Sequence, residues 1–216
     1  MKVGTDGVLL GAWADCSGAR TIIDVGTGSG LIALMLAQRF DDARVLAIEY
    51  DVQAAAQAAE NVAQSPFAER IAVECGDYCR YNCACVDAIV SNPPFFEETL
   101  LPPDAERANA RHTLSGGLDF PALINRSASL IADGGSFQVI IPKNAQSRFH
   151  ALCNAAGMTL RRATNVRTVK RKEPKRVLLH FIKGESLLPV ERDEIVLMEA
   201  GQRSEAYANL CRDFYL

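Results

Sequence analysis

The sequence predicts an α/β fold, a mostly parallel sheet with helices on both faces. Three observations carry this expectation. Short β-branched runs alternate with helical runs along the chain, the order that builds strand–helix–strand crossovers. A glycine cluster, Gly26-Thr27-Gly28-Ser29-Gly30, stands between the first strand run and the first helical run. Later helical runs lead into Gly134-Gly135 and stop at Gly157, where a chain reversal favours a residue that tolerates positive φ.

Each element has its own signal. Thr21-Ile22-Ile23-Asp24-Val25 predicts the first strand. Residues 30–39 put Leu31, Leu34 and Met35 on one helical face. Arg44–Glu49 predicts the second strand, and Asp51 is placed to cap the alanine-rich helix that runs to about residue 64. Residues 71–75 and 86–91 predict strands three and four. A helix over 120–131, a strand over 136–141 and a helix over 146–156 follow. Residues 159–169 and 176–182 predict two more strands, close enough together to pair as an antiparallel edge. Residues 204–214 predict a terminal helix. The segment 101–117 is polar, punctuated by proline and glycine, and without periodicity; a loop of that length is usually functional.

At 216 residues the chain is expected to be one domain, and its 49% apolar and 23% charged composition excludes a disordered chain or a collagen-like repeat. No run approaches the roughly 18 apolar residues of a membrane span, and the start shows no secretory signal, so a cytoplasmic protein is expected. The seven cysteines are then expected to be reduced thiols. Cys75, Cys79, Cys83 and Cys85 follow a C-x3-C-x3-C-x-C spacing that matches no usual zinc pattern, and no metal is expected. The net charge of -3 conceals a division: residues 1–108 hold 7 basic against 16 acidic residues, and residues 109–216 hold 16 against 10. Such asymmetry hints at an acidic partner such as nucleic acid.

Two motifs carry chemistry. In Asp24-Val25-Gly26-Thr27-Gly28-Ser29-Gly30 the glycines remove the Cβ atoms that would block a ligand, and the next helix presents free N–H groups. Glu49, at the end of the second strand, suits two ribose hydroxyls. The pattern fits a dinucleotide fingerprint and also the glycine motif of S-adenosylmethionine-dependent methyltransferases, in which Asp24 would hold a water or the cofactor's ammonium group. The second motif, Asn92-Pro93-Pro94-Phe95, follows strand four. Two prolines stiffen it, so the Asn92 side-chain oxygen and the Pro93 carbonyl converge as acceptors for an amine, and Phe95 offers a ring to stack on a base. This resembles the (D/N/S)-P-P-(Y/F/W) motif of amino-methyltransferases.

Asp77, after strand three, stands where such enzymes place a polar group on an adenine amine; the alternative is a plain turn aspartate. Residues 161–176 hold eight basic residues and one acid on a hairpin-like edge, a run suited to phosphates or simply to solvent. Candidate RNA contacts there are Arg167, Lys170, Arg171, Lys172, Lys175 and Arg176, joined by Arg111 and His112 from the long loop. Trp13 is expected to be buried.

Beyond these motifs the chain resembles the bacterial tRNA1(Val) adenine N6-methyltransferases. The resemblance runs through the opening 13 residues, Asp24 to Leu31, Asn92 to Phe96, Ala110 to Thr113, Arg176 to Phe181, Ser204 to Tyr207 and Phe214 to Leu216. It implies a Rossmann-like class I methyltransferase fold with a seven-stranded sheet and an antiparallel edge. It implies methyl transfer from S-adenosylmethionine to the N6 of adenine-37, 3′ of the anticodon in a valine tRNA. A monomer is expected. It also implies that Lys2, Thr5 and Asp6 line the cofactor pocket. Two departures stand out: Phe95-Phe96 replaces the family's Tyr-Tyr, and relatives carry a stretch ahead of the segment with which this chain opens. The same chemistry could serve a guanine N2 in ribosomal RNA or a release-factor glutamine. Two other readings are a nicotinamide-dependent oxidoreductase and a non-catalytic RNA-binding module.

Overall fold

The structure, a computed structural model, is described for residues 4–94 and 118–214. In chain order the elements are α1 (Thr5–Trp13), β1 (Thr21–Val25), α2 (Leu31–Arg39), β2 (Arg44–Glu49), α3 (Val52–Ala63), β3 (Ile71–Cys75), β4 (Val86–Ser91), α4 (Phe120–Leu130), β5 (Ile131–Pro142), α5 (Gln146–Ala155), β6 (Met158–Val169), β7 (Arg176–Lys183), β8 (Glu191–Glu199), β9 (Gln202–Arg203) and α6 (Glu205–Leu210). Among the described residues one sheet holds nine strands in the order β3-β2-β1-β4-β5-β7-β6-β8-β9. The pairs from β3 to β5 are parallel, β7 runs antiparallel to both β5 and β6, and β8 is parallel to β6.

The α/β class and the mostly parallel sheet are as expected, with two corrections. Nine strands form the sheet, where seven are expected. The antiparallel pair β6–β7 is not its edge: β7 lies between β5 and β6, and β8 and β9 continue beyond. Composition explains the placement. Val177-Leu178-Leu179 and Phe181 are fully buried, a strand apolar on both faces that must be covered on both sides. β8 opens with Glu191-Arg192-Asp193-Glu194, which hides it from a search for apolar runs. Its acids instead meet β6 arginines: Arg161 reaches Glu191 at 2.8 Å and Arg162 reaches Asp193 at 2.6 Å.

Neighbouring residues of each central strand supply opposite core layers. Ile22, Ala47, Ala88, Val90, Ile140 and Leu178 pack with α1, α2 and α6. Ile23, Val25, Ile48, Ile89, Phe137, Val139 and Leu179 pack with α4 and α5. Phe149 of α5 is fully buried in this second layer, with ring centroids 6.0 Å from Phe137 and 6.1 Å from Phe181.

α1 has no signal in the sequence, and its packing shows why. Gly7 to Trp13 are all buried, so no polar face marks a helical period. Gly11 lets α1 approach α2; a Cβ there would stand 2.7 Å from the Met35 Sδ. Trp13 is buried as expected, and its Nε1 donates to Thr164 Oγ1 of β6 at 2.8 Å.

Candidate active site

The site is delivered by the C-terminal ends of three adjacent strands, β2, β1 and β4. Hydrogen bonds lace these exits together. Gly26 N and Thr27 N both donate to Ile48 O, at 2.9 and 3.1 Å, and Gly76 N donates to Glu49 O at 2.8 Å. Ser91 Oγ donates to Val25 O at 2.9 Å.

The glycine turn takes a path that L side chains rarely follow, with φ of 70° at Gly26, 59° at Gly28 and 82° at Gly30. A Cβ on Gly26 would meet nothing within 4 Å, so the turn faces open space. Both Glu49 oxygens are held by backbone N–H groups: Oε2 by Gly28 at 2.8 Å and Oε1 by Asp51 at 3.0 Å. An ionised carboxylate has about four acceptor positions, so two remain for a diol. Asp51 itself caps α3 as expected, accepting from Ala54 N at 2.8 Å.

Asp24 is fully buried beneath the turn. Its Oδ2 accepts from Thr27 Oγ1 and from Ala33 N, the latter at 3.1 Å, whereas Oδ1 is buried with no partner among the described residues. Burial, and to a lesser degree the Glu49 charge, push its pKa up to about 7 against the pull of those hydrogen bonds. A cation arriving at Oδ1 would favour the carboxylate.

Asn92 follows β4 directly. It is half-buried, and its Oδ1 is buried without a partner among the described residues. A buried acceptor left empty is rare, and here it stands where the sequence places an amine acceptor. Pro93 is buried beside it and Pro94 is exposed.

Other candidates are more committed. Asp77 caps the 3-10 turn Tyr78–Arg80 through Cys79 N at 2.9 Å and lies 3.4 Å from Arg80 Nε, the geometry of a turn aspartate. Thr5 is exposed at the start of α1, and Asp6 is paired with Arg176 Nε at 2.8 Å. The structure thus joins two residues to which the sequence assigns separate tasks. Arg167 is bound to Glu194 at 2.6 Å and to Lys172 O at 2.6 Å. Lys170, Arg171, Lys172 and Lys175 are exposed on the turn between β6 and β7. Arg176 at the start of β7 faces Pro142 at the end of β5, so that turn lies at the same end of the sheet as Asn92. Lys2, Phe95, Arg111 and His112 lie outside the described residues.

Thr27 and Ser91 belong to the site, and the sequence alone singles out neither. Thr27 stands inside the glycine motif, the one signal that could draw attention to it. The hydroxyl of Ser91 acts through a strand 66 residues away, which spacing does not reveal. All seven cysteines are free, and among the described residues no three metal-ligating side chains gather. Among those residues too, no helix is long and apolar enough to cross a membrane.

Comparison with known proteins identifies the family and the fold. Residues 7–155 match the family model described as methyltransferase small domain. A tRNA1(Val) (adenine(37)-N6)-methyltransferase of Phocaeicola vulgatus is 44% identical over all of this chain and 91% of its own length. Proteins of the same name from Enterobacter sp. (44% identity, 89% of their protein) and Bacteroides fragilis (42%, 91%) also align over the whole chain. Among solved structures, a protein described as a predicted O-methyltransferase from Agrobacterium tumefaciens superposes with a TM-score of 0.73 at 20% identity, covering 96% of each chain. The CcbJ methyltransferase from Streptomyces caelestis gives 0.61 at 13% identity, over 85% of this chain and 97% of its own. The structures share the fold; the sequences share more, and at 44% identity end to end the chain belongs to the tRNA1(Val) (adenine(37)-N6)-methyltransferase family, a group of class I methyltransferases.

Proposed function

We propose that this enzyme methylates the N6 of adenine-37 in tRNA1(Val), with S-adenosylmethionine as the methyl donor. The single observation that carries the amine chemistry is the buried Oδ1 of Asn92 at the exit of β4, which has no partner among the described residues. The choice of tRNA rests on the activity for which the relatives are named and on the basic turn at the same end of the sheet.

The residues present suit the cofactor. Glu49 has acceptor capacity for a ribose diol and is already oriented by Gly28 and Asp51. The open face of Gly26 lets a ligand approach the backbone, and Asp24 Oδ1 is a vacant acceptor for an ammonium group or its water. When bound, S-adenosylmethionine supplies a sulfonium methyl already activated for transfer. Asn92 Oδ1 and the Pro93 carbonyl then accept the two N–H bonds of the adenine amine. Those hydrogen bonds favour a pyramidal nitrogen, whose lone pair is freed from the ring, and they stabilise the positive charge that develops there. The protonated product nitrogen is strongly acidic, so its proton can leave to water and no general base is needed. A base in a folded anticodon loop must leave its stack to reach this position.

The test is methyl transfer from labelled cofactor to unmodified tRNA1(Val), ribosomal RNA and release factor in parallel, with nucleoside analysis of the products. Label in tRNA recovered as N6-methyladenosine supports the reading. A labelled release factor beside unlabelled tRNA would overturn it.

A further inference from the structure

Cations of the C-terminal half gather on one sheet face beside the amine site. Ala163 pairs with Arg192, Asn165 with Glu194 and Arg167 with Val196 across β6 and β8. Alternation along each strand therefore puts Asn165, Arg167, Arg192 and Glu194 on a common face. Lys143, the residue after β5, reaches this face: its Nζ donates to Asn165 Oδ1 and to Gln146 Oε1, both at 2.6 Å. Its backbone N donates to Lys175 O at 3.0 Å, which seats it under the basic turn. Val139 faces Ser91 across the β4–β5 ladder. Lys143 follows four residues later, about 13 Å along the strand direction, at the end where Asn92 emerges.

The charge balance of this face is incomplete. Glu194 and Glu173 both belong to Arg167, at 2.6 and 3.9 Å. Among the described residues no ion pair engages Lys143 or Arg192. The Lys143 ammonium spends two of its three N–H donors on neutral amide oxygens, which fix its position and leave the third without a partner among the described residues. Burial, Arg192 and Arg167 all press its pKa downward, the sign of a cation short of an anion.

We infer that Lys143 and Arg192, flanked by Arg167, form a binding site for a backbone phosphate of the substrate RNA, next to the nucleotide being methylated. This rests on the proposed RNA substrate. When the target base turns into the pocket, its backbone stays outside and must be held in one place for the amine to stay in line. Lys143 supplies a fixed point charge and Arg192 a planar fork, both suited to phosphate oxygens. Lys170, Arg171, Lys172 and Lys175 extend the same surface along the strand.

The experiment compares wild type with Lys143→Gln, Arg192→Gln, the double variant and Lys143→Arg, using tRNA1(Val) transcript. Binding is followed across salt concentration, kcat and KM are separated, and S-adenosylhomocysteine affinity is measured by calorimetry. The double variant should raise KM for tRNA about tenfold and lower the slope of log K against log salt by about 1, with kcat and S-adenosylhomocysteine affinity little changed. Lys143→Arg should restore most of the loss from Lys143→Gln. If wild type methylates tRNA and the double variant matches it in KM and salt slope, the phosphate site is overturned and the proposed function stands. If the double variant also loses S-adenosylhomocysteine affinity, its role is structural and the inference fails. If wild type methylates no RNA and binds tRNA no better than the double variant, both readings fall.

Discussion

Among the described residues, Asn92 and Asp24 each keep one buried side-chain oxygen without a partner, Asp24 on β1 and Asn92 just past the end of the adjacent β4. In the proposed mechanism those oxygens divide the chemistry between amine and cofactor. Asn92→Ala should lower kcat by at least about 100-fold, since it removes an acceptor that acts on charge developing in the transition state. Its affinity for S-adenosylhomocysteine should stay within about threefold of wild type by calorimetry; wild-type turnover would place the amine elsewhere. Asp24 makes a prediction in pH. Its folded pKa of about 7 lies above the ordinary 3.8, so between those values the folded state holds a proton that the unfolded chain has released. The associated stability is full below pH 3.8 and is lost as pH rises through 7. Urea midpoints of the ligand-free protein between pH 5 and 8 should therefore fall more in wild type than in Asp24→Asn. Equal slopes would mean the carboxyl is ionised throughout.

Among elements, legibility follows apolar content. β1, β2, β3 and β4 are readable to the residue because each is a short β-branched or apolar run between turn residues. The Asp51 cap is readable for the same kind of local reason. Elements with distant partners are not. α1 is buried on every side, so no period shows, and β8 is held at its start by arginines of β6. The position of β7 inside the sheet is likewise a long-range fact. The candidate site divides in the same way: the glycines, Glu49 and Asn92 stand in local motifs, whereas the contacts of Ser91 and the Asp6–Arg176 pair depend on chain brought from afar. For the second core layer, Phe149→Ala should cost about 3–5 kcal/mol in chemical unfolding, as a fully buried phenylalanine leaves a cavity among Phe120, Phe137 and Phe181. A loss below about 1 kcal/mol would mean that this layer is loosely packed.

For the whole molecule, the charge division acquires a location. Three of the sixteen basic residues in residues 109–216, Arg161, Arg162 and Arg167, are paired with acids of β8. Four more, Lys170, Arg171, Lys172 and Lys175, stand exposed together on the β6–β7 turn. Replacing Lys170, Arg171, Lys172 and Lys175 together by Gln should weaken tRNA binding at low salt and lower its salt slope by about 1 for every phosphate that is no longer neutralised. Unchanged binding would make this turn an ordinary solvated loop. The laced strand exits have a consequence of another kind. Amides of Gly26, Thr27, Gly28 and Gly76 donate to fixed acceptors on β2 before any ligand arrives. In the ligand-free protein they should exchange with deuterium about as slowly as amides in the middle of β1, and cofactor should slow them little further. The cleft wall would then be rigid beforehand, and binding would find its shape instead of creating it.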